Sequence, residues 1–167
     1  MQGDGVLTSD AYRVVLVTMA ALLAAGPGDA QRRGLAGGLD PARVGPHLGY
    51  NFDADALTIG VQATLPLTAR VDLYPSADYY FVSPVTLWAL NVDMKFRPAT
   101  RTGTVYVGGG IEYVHTSAGG GNGDVDLNFI GGLEARRQPL IPFVEGRLTL
   151  GSGSTFQIVG GINLTLH

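Results

Sequence analysis

Three glutamates recur in near-identical surroundings: Glu112 in "GGGIEYV", Glu134 in "GGLEAR" and Glu145 in "FVEGRL", the last two residues ahead of Arg147. Paired carboxylates can do general acid–base work. Set beside guanidinium and ammonium groups, they can equally form cross-strand ion pairs that fill a protein interior. Each glutamate sits among apolar residues that alternate with polar ones, so the three fall on successive strands and face one way. That placement favours the ion-pair reading. The other candidate chemistries fall away quickly. Three scattered His and no Cys give no metal-ligand spacing, and no Cys means no disulfide and no cysteine nucleophile. The "GGG" runs at 108–110 and 119–121 precede no helical pattern, so they are not phosphate loops, and no cofactor motif is present. A net charge of −3 without a basic face argues against nucleic acid as a partner.

The elements that carry these residues are strands. The chain has 167 residues, 46% hydrophobic and only 15% charged, with 25 glycines. That is an apolar, charge-poor composition for a single domain. From residue 43 onward eight alternating segments are separated by turn signals: about Val44–Phe52, Leu57–Leu65, Ala69–Ala77, Val85–Phe96, Thr104–His115, Val125–Arg136, Leu140–Leu150 and Thr155–Leu166. Many of these segments approach the length of a tilted strand that crosses a bilayer and exceed the usual soluble strand. In "LWALNVDMKF", for example, Trp88, Leu90, Val92, Met94 and Phe96 alternate with Asn91, Asp93 and Lys95.

Alternation alone does not say which face is wet. The lumen of an eight-stranded barrel is just wide enough to be filled by its own side chains. The apolar face carries too many bulky residues for that space. The polar face holds Asp72, Asp93, Glu112, Asp126, Glu134 and Glu145 against Arg70, Lys95, Arg136 and Arg147, interleaved with glycines. Near-balanced charge and small residues suit a narrow interior, where an unpaired charge is costly. The expectation is an all-β, eight-stranded antiparallel up-and-down transmembrane β-barrel. Its internal ion-pair network comprises Arg70, Asp72, Asp93, Lys95, Glu112, Glu134, Arg136, Glu145 and Arg147, with His47 as a hydrogen-bonded lumen residue. A soluble lipocalin-like ligand-binding barrel with the faces reversed is the alternative. Pro46 and Pro142 fall inside strands of a barrel with no free edge, so both are expected near a rim or a bulge.

The N-terminus points to export. Arg13 precedes the apolar run "VVLVTMAALLAA", then "GPGDA", which fits a secretory signal ending near Ala30. Residues 1–30 are read as that signal, 31–42 as a flexible lead-in and 43–167 as the barrel.

"VYVGGGIEYV", "LNFIGGLEAR", "PFVEGRLTL" and "FQIVGGINLTL" resemble the small eight-stranded outer-membrane β-barrels of Gram-negative-type bacteria, the outer membrane protein A and X group. The resemblance implies a porin-like cell-envelope protein, monomeric, with both termini periplasmic. Its partners would be outer-membrane lipid and lipopolysaccharide, and the outer-membrane assembly machinery during biogenesis. It makes "LPLT", "RPATRT" and "RRQP" periplasmic turns, and Asp53–Asp55, Pro75–Pro84, Ser117–Asp124 and Gly151–Ser154 the outward loops. Tyr50, Phe52, Trp88, Phe96, Tyr113 and Phe156 become interfacial aromatics. Some such barrels deacylate lipid A with a His and a Ser near the outer leaflet. His115-Thr116-Ser117 is similar to that pattern but is followed by Ala118, with no acidic partner on its face. The expected role is therefore structural and non-catalytic.

Overall fold

The computed structural model describes residues 39–98, 105–118, 122–135, 140–151 and 153–166. The signal expected over 1–30, most of the lead-in and Arg136 lie outside the described residues. Eight strands follow in chain order: β1 Arg43–Asn51, β2 Ala56–Pro66, β3 Val71–Tyr80, β4 Leu87–Phe96, β5 Val105–Thr116, β6 Asn122–Glu134, β7 Leu140–Leu150 and β8 Ser154–Thr165. Each pairs antiparallel with the next, and β1 pairs with β8 to close the barrel.

The register fixes its girth. A row of paired residues runs Asn51, Gln157, Arg147, Ile130, Gly108, Lys95, Asp72, Pro66. Pro66 stands two residues beyond Thr64, the partner of Arg43, so the row regains β1 beside Pro41, ten residues from its start. With eight strands this offset gives a tilt of about 40° and a radius of about 8 Å from strand rise and spacing. A lumen that narrow admits one layer of side chains per row.

Residues alternate inward and outward without exception in type. Outward strand positions carry no Asp, Glu, Lys or Arg, and many of their large apolar side chains are exposed, among them Leu48 (65%), Leu57 (63%) and Leu127 (56%). The inward positions are mostly buried and mostly polar, with exposure confined to the strand ends such as Asp124. The reversed-face, lipocalin-like arrangement is not the one this chain adopts.

The third strand departs from expectation. The sequence pattern ends the strand at Ala77 and opens a loop at Pro75, whereas β3 continues to Tyr80 and the connection is 81–86. Pro75 is tolerated because the β2–β3 ladder is interrupted there: pairing passes from Gln62↔Ser76 to Leu65↔Leu73. Pro46 does the same to the closing seam. The β1–β8 ladder passes from Val44↔Leu164 to His47↔Gly161, leaving Gly45 and Pro46 unpaired on that side. Proline has no N–H to give a ladder. Pro46 is thus neither at a rim nor in a bulge that shifts register. Pro142 is third in β7, near the turn end of the barrel, and its carbonyl accepts the Ala135 amide at 2.9 Å.

Candidate functional site

The largest hydrogen-bonded group in the interior draws a side chain from every strand. His47 on β1 places Nε2 2.6 Å from Asp78 Oδ1 on β3, and its Nδ1 lies against Gln62 Oε1 on β2. Gln62 Nε2 donates to Asn163 Oδ1 on β8 at 2.9 Å. Arg147 on β7 donates to Asp78 Oδ2 at 3.2 Å and to Glu145 Oε1 at 3.1 Å. Asn91 on β4 donates to Asp78 Oδ2 at 3.0 Å and accepts from Asn128 on β6 at 2.7 Å. Asp78 is therefore the hub, fully enclosed, with His47, Arg147 and Asn91 all on its carboxylate. Nearer the turn end, Arg43 donates to Glu134 at 3.1 Å, and Arg97 reaches Asp72 at 2.8 Å and Asp40 at 2.7 Å. Lys95 has no carboxylate within ion-pair reach among the described residues. Its Nζ lies between the rings of Tyr74 and Tyr106, 3.5 and 4.0 Å from their centroids. That is the geometry in which an aromatic face stabilises a desolvated ammonium.

The glycines explain how these bonds form. His47 and Asp78 are on β1 and β3, with Gly60 of β2 paired to both. Their contact passes over Gly60, where an added Cβ would collide with the His47 ring. Tyr106 donates to Glu145 at 2.8 Å from β5 to β7, over Gly132, which pairs with both. The Gln62–Asn163 bond runs from β2 to β8 over Gly45, whose Cβ would collide with the Ile162 carbonyl. An inward glycine is thus a gap in the side-chain layer through which its two flanking strands are tied directly.

Among the residues expected to form the network, Asp72, Asp93, Lys95, Glu112, Glu134, Glu145 and Arg147 are all buried inside. Asp93 lies between Tyr74 and Gly110 on the adjacent strands, and Glu112 between Asn91 and Asp126. Arg70 is a correction. Strand β3 begins only at Val71, so Arg70 is an exposed turn residue whose carbonyl accepts the Arg97 amide at 2.8 Å. Arg43, Tyr74, Ser76, Asp78 and Tyr80 are inside and were not anticipated. Following the period of two through "VDLYPSADYY" past its proline would have found four of them. The charge balance shifts accordingly. Buried acids are Asp72, Asp78, Asp93, Glu112, Glu134 and Glu145, against buried bases Arg43, Lys95 and Arg147 and half-buried Arg97. Both nitrogens of His47 face side-chain oxygens, those of Gln62 and Asp78.

The outer face carries aromatics in two clusters at the loop end. Tyr50 meets Phe52 edge-on at 5.1 Å, Phe52 stacks on Phe156 at 5.8 Å, and the Tyr50 hydroxyl donates to Asp55. Trp88 contacts Tyr113 at 5.7 Å and His115 at 5.1 Å, beside the Tyr79–Phe81 pair. Phe96 is at the opposite end of β4. His115 and Ser117 do not form a couple: the His115 ring rests on Trp88, and the Ser117 hydroxyl accepts the Thr86 amide at 2.8 Å. Among the described residues no group of His and carboxylates is placed to hold a metal ion.

A closed eight-stranded barrel with an apolar exterior and a polar, packed interior decides the comparison with known folds. The fold is that of the small outer-membrane β-barrels. The N-terminal barrel domain of Pseudomonas aeruginosa OprF superposes with a TM-score of 0.66 at 17% identity, over 77% of this chain and 99% of that one. Neisserial surface protein A, NspA, gives 0.59 at 9% identity, over 75% and 96%. A de novo designed transmembrane β-barrel gives 0.54 at 13%, over 77% and 98%. No family model matches the sequence, and no curated protein does. At these identities an outer-membrane-type barrel shares architecture with its neighbours and little else.

Proposed function

We propose that this chain resides in a bacterial outer membrane as a non-catalytic barrel with an envelope-maintaining role. The observation that carries the reading is the outward face: uncharged all the way round, over an interior that holds the charges. An exposed apolar belt of that extent has no stable place in water. In a bilayer it meets acyl chains, while the closed ladder leaves no edge unpaired in hydrocarbon. The aromatic clusters at the loop end fit the headgroup level of one leaflet, where amphipathic rings are favoured. Outer-membrane lipid, including lipopolysaccharide, is then the immediate partner. The lumen serves as a packed, hydrogen-bonded plug that holds the barrel in one register.

Cell fractionation tests the location. The expected result is recovery in the outer-membrane fraction, release only by detergent, and slower gel mobility after boiling. Recovery in the detergent-free aqueous fraction would overturn it. Purified barrel in a planar lipid bilayer should show no sustained conductance, and a steady open channel would contradict the plugged lumen.

A further inference from the structure

We propose that the β1–β2 hairpin is a conformationally labile segment of the barrel, held shut by a side-chain latch centred on His47. The hairpin is bounded on both sides by interrupted ladders. On one side Gly45 and Pro46 lack pairing to β8; on the other, Ala63 and Thr64 lack pairing to β3 opposite Tyr74 and Pro75. The two gaps are adjacent along the hairpin: Gly45 and Pro46 pair with Gln62 and Val61, and Ala63 and Thr64 with Val44 and Arg43. No other pair of neighbouring ladders among the described strands is interrupted in this way.

The latch crosses the first gap from inside and ties β1 to β3 three residues from the second. Gln62 Nε2 donates to Asn163 Oδ1, joining β2 to β8 over Gly45. His47 Nε2 bonds Asp78, joining β1 to β3 over Gly60, and its Nδ1 contacts Gln62 Oε1. One imidazole therefore couples the two bridges. Backbone bonds pin the closing seam beyond the gap, from Leu166 to the Ala42 carbonyl and from Phe52 to the Phe156 carbonyl, each at 2.9 Å. Between those pins the backbone ladder holds at Arg43, Val44 and His47–Asn51, and only the step at Gly45 and Pro46 is left to side chains. Partial openings in proteins follow such locally weak units, and their free energy is set by the contacts they lose. The hairpin is thus the place where the barrel can loosen without unfolding.

Residue-resolved amide hydrogen exchange on the folded full chain in lipid nanodiscs tests this. In the natural sequence, amides at 44–49 and 60–65 should exchange at least tenfold faster than those at 106–114 in β5. His47→Leu should speed the first group a further tenfold or more and leave β5 and β6 unchanged. Pro46→Val supplies the missing donor and should slow exchange at the seam. Equal protection of the two regions in the natural chain would overturn the proposal, whether or not the His47 variant folds. So would a His47→Leu effect spread evenly over all strands.

Discussion

The β1–β2 and β5–β6 hairpins belong to one barrel and are secured in different ways. The β5–β6 ladder runs unbroken from Val105↔Leu133 to Thr116↔Asn122. Its neighbours β4 and β7 pair with it without interruption over their shared length. Tyr106–Glu145 over Gly132 adds a brace to a structure already closed by its backbone. The β1–β2 hairpin has a proline in each flanking ladder, its own Pro46 and Pro75 of β3, and its Gln62–Asn163 brace spans a step where backbone pairing is missing. The same motif, two polar side chains meeting over an inward glycine, is supplementary in one hairpin and necessary in the other. A buried polar group without its partner costs about 1–3 kcal/mol, more when charged. Loss of a brace should therefore be felt most where the backbone cannot compensate.

The largest effect should come from Arg147→Leu. It strips the guanidinium from Asp78 and Glu145, which are both buried. Breaking a buried pair from one side costs about 3–5 kcal/mol. Urea unfolding in lipid should show that loss, and an unchanged midpoint would mean that Asp78 is not the hub. Next is Gly60→Ala, whose Cβ would push His47 off Asp78. Overpacking of this kind costs about 1–3 kcal/mol. The matched change Gly132→Ala should cost less, since the ladders on both sides of β6 carry no gap near it. Equal losses would erase the distinction between the hairpins.

A smaller effect is expected for Tyr106→Phe. It removes the hydrogen bond to Glu145 Oε2 but leaves Arg147 on the other oxygen, for a net loss of about 1 kcal/mol in the same assay. The least effect should follow Gly131→Ala. Gly131 points outward, and an added Cβ would meet only the Tyr106 carbonyl, at 4.0 Å. Its change should stay within about 0.5 kcal/mol. Inward and outward glycines, adjacent in sequence, would then differ by the face they occupy.

Much of this was legible in the sequence, for identifiable reasons. "LWALNVDMKF" alternates cleanly, so its strand and both faces follow from the period of two. Seven of the nine residues expected in the network lie inside because each stood in such a run. Alternation alone extends the third strand back to Ala69, but β3 begins two residues later, which in a narrow barrel is the difference between a turn and the lumen for Arg70. Asp78 was hidden behind Pro75: a proline mid-strand reads as a loop unless the neighbouring ladder is known to be broken there. The contacts over Gly45, Gly60 and Gly132 were beyond reach for a stricter reason. They join strands that are not neighbours, and only the register says which glycine lies between which side chains. Glycine was legible as room for its neighbours but not as the site of a particular bond.

The uncharged face should meet lipid and the charged face should not. The natural chain has no cysteine, so single spin labels can be introduced one at a time from residue 88 to 95 on β4 without removing any native thiol. In lipid vesicles, accessibility to molecular oxygen should alternate with period two, high at 90, 92 and 94 and low at 89, 91 and 93. A water-soluble nickel chelate should reach none of them. High chelate access at 90, 92 and 94 would contradict the account directly, because it would place water where the barrel requires acyl chains.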